Sequence, residues 1–153
     1  MRYFSCLLCL IAFARLIRSE NTPGAPDPAN IEHKVFIQHG QEKYFRFKTE
    51  GNRLLEPHSY KGKHDDPQMV KVVIMDGGPV PGRVLDVSNQ FGRTLRFRVL
   101  ERLEGKPEFA KISKHEIKIG PGQQWCHFTP EKSRIAEAVL SQFSLSDEPL
   151  QEK

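Results

Sequence analysis

The sequence predicts an α+β domain: a mostly antiparallel β-sheet closed by one C-terminal helix. Three observations predict it. Short runs of β-branched and aromatic residues recur between clusters of Gly, Pro, Asn and Asp, as in "MVKVVIM" and "RVLDV". "RTLRFRVLERL" alternates, with Leu95, Phe97 and Val99 set against Arg96 and Arg98, which predicts a half-buried strand. The C-terminal stretch changes period: Ile135, Ala136, Val139, Leu140 and Phe143 fall on one face at helical spacing.

In chain order, Val35-Phe36-Ile37 and Tyr44-Phe45-Arg46-Phe47 flank "QHGQEK" and predict a hairpin. "EGNRLLEPHSYKGKHDDP" carries turn residues and many charges and predicts a long loop. "MVKVVIM" and "RVLDV" follow as strands, joined by "GGPVPG", which is either a tight turn or a loop presenting Arg83 to a phosphate. "FAKISKHEIKI" and "QWCHF" supply further strands. Thr129 is suited to cap a helix and Pro130 to occupy its first position, so the helix is expected over 129–143 with a polar tail over 144–153.

At 153 residues the chain is one domain's worth. It opens with Arg2 and an apolar run from Tyr3 to Ala14, too short for a bilayer span of about 20 residues. The run reads as a secretory signal over 1–19, cleaved after Ala14 or Ser19. A Pro-rich linker over 20–30 and a β domain over 31–128 follow. Cleavage after Ser19 removes Arg2, Arg15 and Arg18, so the net charge falls from +4 to +1. That mild basicity is weak evidence for nucleic-acid binding. Cleavage at either site also removes Cys6 and Cys9, leaving Cys126 with no partner in its own chain, either a buried free thiol or a thiol paired with another chain. The six histidines are scattered with no Cys pair beside them, and no Gly-rich phosphate loop precedes a helix, so no metal or cofactor is expected.

One ordered set of short motifs carries a resemblance. Pro57-His58, Asp65-Asp66-Pro67, Gly77-Gly78, Gly82-Arg83-Val84 and Asn89-Gln90 occur in the order found in the fungal guanyl-specific ribonucleases, over about Glu56 to Leu100. The resemblance implies a sheet of the microbial ribonuclease type, with His58, Asp65 and Arg83 as remnants of a catalytic site. Asp65 stands where the family has a catalytic Glu, and Arg83 where it has the Arg facing the scissile phosphate. The family's general-acid His has no counterpart, because Phe97 or Arg98 occupies its place. Transesterification needs acid and base both within hydrogen-bond reach of the reacting oxygens, so an inactive enzyme is expected. Glu56 and the nearby Asp65, Asp66 and Asp76 would also repel a phosphate.

A leader followed by a decayed ribonuclease-like domain is similar to the RNase-like secreted effectors of powdery mildew fungi. That similarity implies a secreted, monomeric, non-enzymatic protein, delivered into a host cell without acting on a membrane, that promotes infection by binding a host protein or, weakly, single-stranded RNA or rRNA. RNA binding would fall to Arg83, Arg96 and Arg98, with Arg93 beside them, and Trp125 is expected in the core or as a stacking platform. An active guanyl-type endoribonuclease and an unrelated β-rich secreted binding protein are the alternatives.

Overall fold

A computed structural model describes residues 26–61 and 66–147. The expected signal peptide, Asp65 and most of the polar tail lie outside the described residues. After a 3₁₀ turn at Pro28–Asn30, ten strands follow among the described residues. They are β1 (Val35–Gln38), β2 (Glu42–Glu50), β3 (Arg53–Tyr60), β4 (Val70–Asp76), β5 (Gly82–Asn89), β6 (Thr94–Leu103), β7 (Ala110–Lys111), β8 (Ile117–Ile119), β9 (Gln124–Pro130) and β10 (Ile135–Ser146). All pair antiparallel in one sheet of order β7-β6-β10-β3-β2-β4-β5-β9, with β1 beside β10 and β8 beside β6.

The sheet curls into a half-barrel. Side chains carry the curl: Trp125 on β9 meets Phe97 on β6 edge-on at 6.0 Å, and His127 Nε2 lies 3.1 Å from a Glu101 carboxylate oxygen. The concave face holds the core. Val72 pairs with Val87 and Ile74 with Leu85, and all four are buried. Leu95, Phe97 and Val99 are buried as their alternation predicts, and Phe97 and Phe143 stack at 5.9 Å. A fully buried side chain of this size contributes roughly 1.5–3 kcal/mol. Asn89 clamps the end of β5. Its Nδ2 donates to the carbonyls of Arg93, Ile119 and Gly120, and its Oδ1 accepts from the Phe91 amide.

The α+β expectation is overturned. Among the described residues 59% lie in strands and no helix reaches seven residues. The stretch expected as a helix over 129–143 is the end of β9, a 3₁₀ turn at Glu131–Ser133, and most of β10. The cause is two bulges. The ladder from β10 to β6 slips between Ile135 and Glu137 and again between Ser141 and Ser144. Each bulge adds a residue. The core-facing residues are therefore Ile135, Ala138, Leu140, Phe143 and Leu145, steps of three and two that imitate a helical period.

Two local readings also change. The loop expected before residue 61 contains β3, hidden by its charges, by Pro57 and by a left-handed Glu56 (φ 48°). The hairpin expected between Val35 and Phe47 does not form. β1 pairs with β10, where Val35 meets Leu140 and Ile37 meets Ala138, while β2 pairs with β3 and β4. The central β10 offers those apolar side chains more burial than the charged face of β2.

Candidate ligand-binding cleft

His58 and Arg83 are far apart. Strands β2 and β4 lie between β3 and β5, a separation of roughly 14 Å at about 4.8 Å per strand. The two also sit at opposite ends of the sheet: His58 is level with Arg46, which lies next to the Val70 end of β4, whereas Arg83 pairs with Asp76 at its other end. His58 is exposed. Asp65 is outside the described residues, and its neighbour Asp66 pairs with Arg46, whose guanidinium lies 4.0 Å over the Tyr60 ring.

Arg83 faces into the half-barrel and is 7% exposed. Its Nη2 lies 2.6 Å from Glu104 Oε1 and its Nη1 donates to the Ile135 carbonyl at 2.9 Å. Nε makes no hydrogen bond, but the Asp76 carboxylate lies 3.7 Å away and is itself 3.0 Å from His39 Nε2. The loop before Arg83 is a tight turn, closed by the Gly77 amide donating to the Gly82 carbonyl at 2.9 Å. Its glycines answer a steric demand. A Cβ at Gly82 would stand 2.4 Å from the Thr129 carbonyl and 2.6 Å from the Phe128 ring, and one at Gly77 would stand 2.7 Å from the Val80 carbonyl. On the convex side of this turn, Met75, Val84 and Phe128 pair in one row across three strands, with Val80 exposed at the tip.

The arginines sort into two groups. Arg46, Arg83, Arg93, Arg96, Arg102 and Arg134 each face a carboxylate. Arg93 grips Asp147 with two nitrogens at 2.6 and 3.0 Å and also holds Asn52. Arg96 donates to Ser146 at 3.1 Å and lies 3.9 Å from Glu116. Arg53 and Arg98 alone, of the arginines among the described residues, have no side-chain partner there. Trp125 has its ring stacked on His127 at 5.9 Å, which takes up one face. Cys126, expected to be buried, is exposed, and it pairs with Asp86 on the face opposite the core-facing Leu85 and Val87. Local desolvation and a hydrogen bond to Asp86 at 3.2 Å push its thiol up to about 11. It is therefore a protonated, unreactive thiol near neutrality.

A different place gathers unusual features. His33, Glu56 and Gln142 are the non-glycine residues with positive φ among the described residues, at 49°, 48° and 55°. Such backbone costs about 1–2 kcal/mol per residue. His33 and Glu56 meet: the Glu56 amide donates to His33 Nδ1 at 3.2 Å, which leaves the ring proton on Nε2. Gln142 forms the β10 bulge. There the β6 ladder jumps from Ser141–Arg98 to Ser144–Arg96. On the other edge of β10, β1 stops at Leu140 and β3 starts at Ser144. Residues 141–143 therefore have no ladder partner on that edge.

A cleft of about 630 Å³ opens at this gap, with Ile31, His33, Arg53, Leu55, Gln142 and Phe143 on its walls. An adjoining cavity of about 140 Å³ shares Ile31 and Gln142 and adds Arg98 and Lys111. Ligand sites typically measure about 300–1,000 Å³. The sequence singles out Arg98 here but misses His33, Arg53 and Gln142. "RLLEP" reads as a loop, and no local pattern marks the gap between β1 and β3. No protein-family model matches the chain, and no curated protein or solved structure matches it.

Proposed function

We propose that the chain is a secreted, non-enzymatic binding protein that holds its ligand in the cleft at the β10 bulge. The observation that carries the reading is that two left-handed side-chain-bearing residues, His33 and Gln142, line one ligand-sized opening, while a third, Glu56, donates its amide to His33. Backbone strain of this kind persists where surrounding structure enforces it, and it clusters at ligand sites. The absence of catalysis is supported by the distance between His58 and Arg83 and by the engagement of Arg83 with Glu104. Neither residue is placed to share a scissile phosphate with the other. Export rests on the apolar leader, and action inside a host cell rests on the sequence resemblance alone.

The RNA reading loses support where Arg83, Arg93 and Arg96 meet Glu104, Asp147 and Glu116. A protein partner is the second reading, favoured by exposed Met75 and Phe128 on either side of half-buried Val84, with exposed Val80 at the turn. In that case Phe128→Lys abolishes partner binding and leaves the cleft untouched.

The test is an amide-resolved NMR titration of the exported protein with a panel of small anionic, neutral and cationic ligands. Saturable shifts at Leu55, Gln142 and Phe143 are expected from at least one class. Shifts confined to His58 and Arg83, or robust cleavage of guanosine-containing RNA, would overturn the proposal.

A further inference from the structure

The geometry points to the chemistry of the ligand, an inference that rests on the cleft being the binding site. We propose that the cleft binds a small ligand carrying two tetrahedral oxyanion groups, phosphate or sulfate, one at Arg53 and the other at Arg98.

Six of the eight described arginines are neutralised by carboxylates, and the two that are not stand on either side of the same bulge. Arg53 pairs through its backbone with Ser144 of β10, and Arg98 with Ser141. They flank one strand at positions three residues apart along it, so their Cα atoms stand roughly 12–14 Å apart, two strand spacings across combined with that offset along β10. Arg53 lines the larger cavity, and Arg98 lines the smaller one beside Lys111, which also has no partner. Against these three cations the two cavities present a single carboxylate, Glu32. A guanidinium matches an oxyanion with parallel N–H donors, and such charge-assisted bonds are about twice as strong as neutral ones. The floor between them is mixed: Ile31 and Phe143 are apolar, while Gln142 offers an amide. The ligand therefore has charged ends and a less polar middle.

The experiment is calorimetric titration of the intact exported protein with tripolyphosphate, a 5′-phosphorylated dinucleotide and a disulfated disaccharide. The expected result is saturable binding of tripolyphosphate, weakened about tenfold by Arg53→Gln and by Arg98→Gln, the worth of one charge-assisted contact. Arg98→Lys, which keeps the charge and loses the fork, weakens it less. Arg46→Gln, whose native partner is Asp66, leaves it unchanged. Both test arginines are exposed and unpartnered, so their variants keep the wild-type amide spectrum. Tighter binding of the dinucleotide or of the disaccharide identifies the source of the oxyanions, and either supports the proposal. Absence of tripolyphosphate binding, or binding indifferent to both substitutions, overturns it. If neutral ligands shift the Gln142 amide while tripolyphosphate does not, the cleft stands and the oxyanion assignment falls.

Discussion

Arg83 and Glu104 form a charge pair at 2.6 Å between the inward face of β5 and the turn after β6, and the same guanidinium donates to the Ile135 carbonyl. Arg83 thereby ties β5 both to the turn after β6 and to the start of β10. Arg83→Met leaves that carbonyl without its donor and should cost about 1–3 kcal/mol. Glu104→Gln keeps a hydrogen-bond acceptor and, at a half-exposed site, should cost less than about 1 kcal/mol. Urea midpoints with unchanged slopes measure both. Equal, negligible losses would mean that Arg83 is not part of the fold's frame.

The turn before Arg83 makes a sharper steric prediction. Gly82 has φ 150° and faces backbone and ring atoms within 2.8 Å, whereas Gly78 has φ 65° and open space around it. Gly82→Ala should destabilise by about 2–4 kcal/mol, because the Thr129 carbonyl cannot step aside. Gly78→Ala should cost about 1–2 kcal/mol, the left-handed penalty alone. Chemical denaturation of the two variants gives the ranking, and a reversed order would contradict the steric account.

Acid should weaken the fold partly through Glu137. The Arg102 guanidinium, donating at 2.8 Å, holds this carboxyl below the usual carboxylate range against the opposing effect of burial, and Gln38 donates to its other oxygen. A group depressed in the folded state stabilises the fold above its unfolded pKa, and that stability is lost as pH falls through the folded value. Stability should therefore drop as pH falls below the usual carboxylate range, and Glu137→Gln should drop less. Urea unfolding at neutral and acid pH measures it. Identical pH profiles for the two proteins would remove Glu137 from the account.

Much of the sheet was legible because burial wrote a local pattern. β4 is an apolar run, β6 alternates, and both follow from which side chains leave water. β10 was not legible because its two bulges turn a period of two into steps of three and two. β3 was hidden because only Leu54 along it is fully buried. The fate of Arg83 depends on Glu104, which reaches it only through the curl of the sheet. The cleft depends on where β1 stops and β3 starts along β10, a tertiary fact with no local signature.

The left-handed Gln142 tests the central claim most directly. Glycine at this position relieves the backbone strain, so Gln142→Gly should be at least as stable as the wild type. It also removes the amide from the wall shared by both cavities and loosens the bulge that shapes them. The deciding measurement is the affinity of Gln142→Gly for the ligand class that shifts the Gln142 amide most in the wild type, followed by the same NMR titration. The account predicts binding weakened at least about tenfold in a protein no less stable, the loss of one good polar contact and of preorganisation. Undiminished affinity in the glycine variant would show that the strained bulge serves the sheet and not a ligand.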